Sequence, residues 1–235
     1  MTSLTLAVRE VILYWLYQLE LECCWMQTKN VFLYVFNTMS DWEYGYLIAE
    51  LNSGRYFKKD LVPLKVITVG ANKEMITTMG GLGIKPDISL DECMLNSKDL
   101  IILPGGTTWS EEIHHPVLKR VGEALDSGTI VAAICGAIEG LANMGYLDTR
   151  KHTSNNLEYT KMVCPNYKGE KFYVMESAAS DANLVTAAGI APLEFAKEVL
   201  GKLAVFSPDA LDSWYNLNKT HKPEYFFQLM NSINK

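Results

Sequence analysis

From residue 30 onward the chain alternates short β-branched runs with amphipathic stretches, the pattern of βα units wrapped around a mostly parallel sheet. VFLYVFN at 31–37 is apolar without alternation, as a strand covered on both faces requires. WEYGYLIAELN then reads as a helix, with Ser40 and Asp41 as candidate N-caps. PLKVITVG at 63–70 is the next strand. The segment 75–90, with Gly80, Gly81 and Gly83 at its centre, reads as a small hairpin; no lysine and hydroxyl follow the glycines to make a phosphate loop. DLIILPGG at 99–106 is a strand that ends in a Pro-Gly-Gly turn. Ser110 then opens a helix to about Ser127, with Glu111 and Glu112 suiting the positive end of its dipole. TIVAAIC at 129–135 is a strand that runs into GAIEGLANMGYL with no loop between them. A strand pair at 171–175 and 184–188, a helix from Pro192 to Leu203 and closing helices over 208–235 complete the pattern.

Composition narrows the functional classes. The chain has 235 residues, 49% apolar and 20% charged, enough for a full core in one domain, assigned to 26–235. Against 27 acidic residues stand 21 basic ones, a net charge of −6 with no basic run, so neither nucleic acid nor an anionic membrane is an expected partner. The five cysteines are odd in number and share no CxxC or Cys/His ligand spacing. That argues against a disulfide framework or a zinc site and for a reducing cytoplasm, and nothing in the pattern calls for a cofactor. Residues 1–25 read as a peripheral extension: the apolar run VILYWLY at 11–17 falls far short of the roughly 20 residues that span a bilayer, and Arg9, Glu10, Glu20 and Glu22 flank it. It is either a docking helix or a stretch upstream of a start at Met26.

The informative point is the junction at Cys135. An apolar strand ends there and a helix begins, with Gly136 next in line, the arrangement of a nucleophile elbow in which a sharp turn lifts one side chain off the sheet edge. A helix N-terminus offers free N–H groups and partial positive charge, which lower a thiol's pKa. Open parallel sheets bring their strand ends together on one rim, so the amides of Gly106 and Gly136 are candidates for an oxyanion pocket. The competing reading is a small buried hydrophobe, the ordinary fate of a free cysteine.

LPGG, then AAIC-G-A some 30 residues on, then GYLDTRKHTSN and NLVTAAGIAPLEFAKEVL, together resemble the ThiJ/PfpI superfamily of the class I glutamine-amidotransferase-like fold, over roughly 30–205. The resemblance implies a flavodoxin-like three-layer α/β sandwich, a reactive elbow cysteine and commonly a homodimer. Its members are described as intracellular proteases, glyoxalases or deglycases, and oxidative-stress proteins. It also implies a carboxylate from the first βα loop whose protonated form hydrogen-bonds the thiolate; the SDWE stretch supplies it, as Glu43 or, in its place, Asp41.

One departure stands out. Many members carry a histidine about 20 residues beyond the cysteine, and aligning TRKHTSN on that stretch puts Asn155 there. Asparagine takes no proton at neutral pH, which puts a Cys/His pair in doubt. His152 is three residues earlier, where an odd offset in extended chain points the other way. His114 and His115 read as solvated or capping residues, and His221 with Glu224 as a poor match to a glutaminase triad. Glu139 lies one helical turn beyond Cys135 and faces either the site or solvent. Cys93 and Cys164 read as structural. Three functions remain in play: a cysteine-dependent enzyme acting on the carbonyl of a small molecule or peptide, a redox-responsive protein whose Cys135 is oxidised to sulfenic or sulfinic acid, and a glutamine-hydrolysing subunit.

Overall fold

The computed structural model describes residues 29–233, so the extension read over 1–25, with Cys23 and Cys24, lies outside the described residues. Seven strands form one sheet: β1 (Val31–Tyr34), β2 (Val66–Gly70), β5 (Ile88–Ser89), β6 (Leu100–Leu103), β7 (Ile130–Ile134), β8 (Ala178–Asp181) and β9 (Leu184–Ala187). Their order is β5-β2-β1-β6-β7-β9-β8, and every pairing is parallel except that of β8 with β9. The short strands β3 (Ile76–Thr77) and β4 (Gly83–Ile84) make the separate hairpin expected around the three glycines.

The order explains the layers. The chain steps one way from β1 to β2 through α1 (Gly45–Ser53), and the other way from β6 to β7 through α2 (His115–Ser127). Right-handed crossovers in opposite directions put the two helices on opposite faces. α1 packs with α5 (Pro192–Leu203), which lies on β9 and supports α6 (Pro208–Thr220) and α7 (Pro223–Ile233). On the other side α2 joins α3 (Ala137–Asn143) and α4 (Leu157–Val163). The result is the flavodoxin-like sandwich, and the central strands β1, β6 and β9 are buried along their whole length, as runs without alternation require.

Four boundaries differ from the sequence pattern, each for a local reason. α1 starts at Gly45 without a side-chain cap, because Ser40 and Asp41 are used elsewhere: the Ser40 side chain is turned to Glu43 while its N–H donates to the Gly105 carbonyl, and Asp41 accepts from the Gly80 N–H. α2 starts at His115 rather than Ser110, behind a single 3-10 turn over Glu112–His114, with Pro116 in the first turn, where its missing N–H costs nothing. The outer strand is Ala178–Asp181, not 171–175; it pairs with β9 across a two-residue turn in which Ala182 takes a φ of +44°. α4 was not foreseen, although Asn156 caps it by accepting the Tyr159 N–H at 2.9 Å.

The helical layer outside α1 is pinned by a buried carboxylate. Glu50, 2% exposed, accepts from Trp214 Nε1 at 3.0 Å and from Arg55 Nε at 2.9 Å. Trp214 is itself 1% exposed and stacks edge-on to Phe206 and Tyr46. Trp214→Ala therefore removes a large buried ring and one of the donors to Glu50, and is expected to cost about 3–5 kcal/mol, read as a lower urea midpoint at unchanged slope. An unchanged midpoint would mean that α6 contributes nothing to the fold.

Candidate functional site at the Cys135 elbow

β1, β6, β7 and β9 are parallel neighbours, so their C-terminal ends open onto one rim. The first residues beyond them meet there. Cys135, directly after β7, has a φ of +59°. A non-glycine residue in that region carries roughly 1–3 kcal/mol of strain and persists only where its neighbours hold it. They do: its N–H donates to the Ala187 carbonyl at 3.0 Å, and its carbonyl accepts from the Ile138 N–H at 3.1 Å, opening α3. The turn points the thiol at the rim, where Cys135 is partly exposed between buried neighbours.

Glu43, in the loop after β1, is fully buried and comes to the same place. The N–H of Gly105, beyond β6, donates to its Oε2 at 2.5 Å. Its other oxygen, Oε1, is buried with no well-formed hydrogen bond, and the carboxylate has the side chains of Cys135 and Ser40 beside it. Glycine is required on both sides of the pair. A Cβ on Gly105 would lie 2.6 Å from Cys135 Cβ and 2.7 Å from Glu43 Oε2, and one on Gly189, beyond β9, would lie 2.6 Å from the Cys135 sulfur and 3.2 Å from Glu43 Oε1.

Asn155 closes the third side. Its Oδ1 accepts the Gly189 N–H at 2.7 Å, which fixes the amide orientation and leaves Nδ2 to donate to the Cys135 sulfur at 3.4 Å. Gly106 and Gly136 adjoin one another: a Cβ on Gly136 would lie 2.8 Å from the Gly106 carbonyl oxygen and 3.5 Å from the Gly106 nitrogen. The backbone N–H of Gly136 also points at the sulfur.

Residues 29–202 match the DJ-1/PfpI family model. The chain belongs to the DJ-1/PfpI family. It is 74% identical over 210 residues to the Bacillus subtilis protein named uncharacterized protease YoaZ, covering 89% of this chain and all of that one. A crystal structure of a thiJ/pfpI family protein from Bacillus anthracis is 86% identical with a TM-score of 0.88, covering 89% of this chain and 99% of that one. At greater distance, the glutathione-independent glyoxalase DJR-1.2 of Caenorhabditis elegans is 28% identical over 142 residues, 60% of this chain and 74% of that one.

Within this DJ-1/PfpI site the remaining candidates fall away from the sulfur. Asp41 is directed at the β3–β4 hairpin, its Oδ2 accepting the Gly80 N–H at 2.6 Å. His152 does not turn toward Cys135: it is fully buried, with Nδ1 2.7 Å from the Arg150 carbonyl and Nε2 2.7 Å from the Tyr167 hydroxyl, and both partners hold it away from the rim. His114, read as solvated or capping, is fully buried between the Tyr34 hydroxyl at 3.1 Å and Thr108 Oγ1 at 2.9 Å, and burial pushes its pKa down to about 4. His221 is the left-handed residue that ends α6, and Glu224 sits in the first turn of α7. Glu139 is half-buried, which raises its pKa. Cys93 and Cys164 are buried, and burial pushes both thiols up to about 11. Among the described residues, no cluster of three His, Cys, Asp or Glu side chains has the geometry to hold a metal ion, and no helix is long and apolar enough to cross a membrane.

The electrostatics differ from what the helix N-terminus alone implies. Burial pushes the Cys135 thiol up to about 11; the Asn155 and Gly136 donors pull it down, while the charge of Glu43 adds to the rise. Desolvation outweighs the partial charge of the seven-residue α3. Glu43 is likewise raised by burial, against the hydrogen bond from Gly105. Two adjacent groups that each resist ionisation keep a proton between them at neutral pH. Glu43→Gln, which removes the charge beside the sulfur, is expected to lower the pH midpoint of Cys135 alkylation by iodoacetamide relative to wild type, and Asn155→Ala to raise it. Identical midpoints in wild type and Glu43→Gln would take the carboxylate out of the sulfur's surroundings.

Proposed function

We propose that the protein is a cysteine-dependent enzyme of the glyoxalase type, in which Cys135 adds to the aldehyde of a small dicarbonyl and Glu43 moves the protons. The observation that carries this reading is the pairing at the elbow: a thiol and a buried carboxylate face one another, with an asparagine amide where an imidazole would otherwise stand. Peptide hydrolysis needs a group to protonate the departing amine, and His152 is turned away with both nitrogens engaged. Carbonyl addition asks for less.

The thiol forms a bond to the aldehyde carbon, the carbonyl π bond opens, and the thiol proton passes through the Glu43 carboxylate to the new alkoxide. The same carboxylate takes the proton from that carbon and returns it to the adjacent ketone carbon, while the hydroxyl proton of the first carbon passes to the ketone oxygen, leaving a thioester carbonyl on the first carbon and a hydroxyl on the second. The first carbon is thereby oxidised and the second reduced, so no external redox partner is consumed. Water then cleaves the resulting thioester to a 2-hydroxy acid and free Cys135. The amides of Gly106 and Gly136 serve the oxyanion of that last step, and a carboxylate whose pKa is raised by burial is a stronger base for the middle one. The C. elegans relative bears the name of a glyoxalase. The protease in the name of the B. subtilis relative is the reading the asparagine disfavours. The redox alternative requires a thiolate at rest, which burial beside Glu43 opposes.

Turnover of methylglyoxal to lactate tests the proposal. Cys135→Ser is expected to abolish it and Glu43→Gln to lower kcat by about 10²–10⁴-fold, while Asn155→His is expected to confer cleavage of a peptidyl amide that the wild type leaves intact. Lactate formation surviving in Cys135→Ser, or amide cleavage by the wild type at the dicarbonyl rate, would overturn it.

A further inference from the structure

Trp42 is an unusual residue to find at the surface. It is 53% exposed, yet its one polar atom is not turned to water: Nε1 donates to the Gly189 carbonyl at 3.1 Å. Tryptophan ordinarily buries most of its ring, and with the N–H engaged the exposed part offers only carbon and π surface. Two links fix where that surface lies. Trp42 precedes Glu43, which borders the thiol, and Gly189 is the residue on which a Cβ would lie 2.6 Å from the Cys135 sulfur. The indole is thus hydrogen-bonded to the backbone residue that borders the sulfur. Ile190, following Gly189, is 96% exposed and extends the same rim with aliphatic surface. Asn155, which holds Gly189 from the other side, keeps this edge fixed relative to the sulfur.

We infer that Trp42 and Ile190 form an apolar subsite beside Cys135 that receives the group attached to the reactive carbonyl, so that aryl-substituted dicarbonyls are preferred over methyl-substituted ones. The inference rests on the proposed role of Cys135 in carbonyl addition and names the substrate class for it. An aromatic substituent stacks on the exposed indole, and the substrate covers surface that is otherwise left to water. The occupant is a small molecule because the exposed indole is tied through Gly189 and Asn155 to the nucleophile; a second copy of the chain seated on it would close the route to the sulfur.

Two ratios test the subsite, one through catalysis and one without it. The first is kcat/KM for phenylglyoxal over methylglyoxal. The second is the rate of Cys135 alkylation by phenacyl bromide, in which the sulfur displaces bromide, over that by iodoacetamide, followed by intact mass. Trp42→Ala is expected to lower both ratios about tenfold, and Ile190→Ser to lower them by less. Trp42→Phe, which loses the bond to Gly189 but keeps an aromatic face, is expected to retain most of each. If no dicarbonyl is turned over but the alkylation ratio falls in Trp42→Ala, the subsite stands and the proposed chemistry fails. Ratios unchanged in a folded Trp42→Ala, ratios lost equally in Trp42→Phe, or a dimer in solution that Trp42→Ala dissociates would each overturn the subsite.

Discussion

Four parallel strands ending on one rim decide where everything else in this molecule sits. β1, β6, β7 and β9 are neighbours in a single register, and the residues just past their ends are Glu43 in the loop, Gly105, Cys135 and Gly189. Because strands of a sheet lie about 4.8 Å apart, these segments are brought within contact distance without any long side chain to bridge them. The closeness is what demands glycine at 105 and 189 and what forces Cys135 into a left-handed turn. The strain at Cys135 is sustained by the sheet itself, since the Cys135 N–H continues the β7–β9 ladder to Ala187.

From that closeness follows an electrostatic conflict. A thiol and a carboxyl are pressed together in a site dry enough that burial is the largest influence on each; the charge of Glu43 makes ionisation of the thiol harder, while the thiol, as a hydrogen-bond donor, eases that of Glu43. The donors available to relieve it are backbone N–H groups, the Ser40 side chain and one amide. Asn155 cannot accept the proton, so in the proposed reaction proton transfer runs between Sγ and Glu43. An imidazole at that position would offer the proton a second residence and draw the thiol toward its ionised form. The amide instead does mechanical work: its carbonyl holds Gly189 and its NH₂ touches the sulfur, so the rim and the reacting atom move as a unit.

Much of this was legible in the sequence, and the parts that were not share a cause. The runs at 31–37, 99–106 and 129–135 announced central strands because burial on both faces leaves no polar positions, and the LPGG turn and the AIC-G junction marked the rim. Asn155 was found through the family resemblance, by aligning TRKHTSN on the stretch that ends in a histidine in many members. The failures lie where local signals were outbid by contacts distant in sequence. Ser40 and Asp41 look like caps but bond to Gly105 and Gly80, and His114 looks like a surface residue because the tyrosine that receives it is 80 residues earlier. The raised thiol was hidden for the same reason, since helix polarity is written in local sequence and desolvation is not. Trp42 gave no signal at all; its importance comes from Gly189, far along the chain.

The core and the site are also less separable than their residue lists suggest. Tyr34 and Phe36 leave β1 to stack with Trp109 and His114, and this aromatic group lies directly under the Gly105–Gly106 turn: Trp109 Nε1 donates to the Pro104 carbonyl at 2.9 Å, and a Cβ on Gly106 would lie 2.5 Å from Phe36. His114 completes the group only as a neutral ring, because one nitrogen must accept where the other donates if both Tyr34 and Thr108 are to be satisfied without a buried charge. The loop that presents the Gly106 amide is therefore held by packing that excludes water from below, while Trp42 and Ile190 offer apolar surface from above. On the proposed function, a carbonyl compound bound between them would set its polar group at the donors around Cys135 and its hydrocarbon on Trp42 and Ile190.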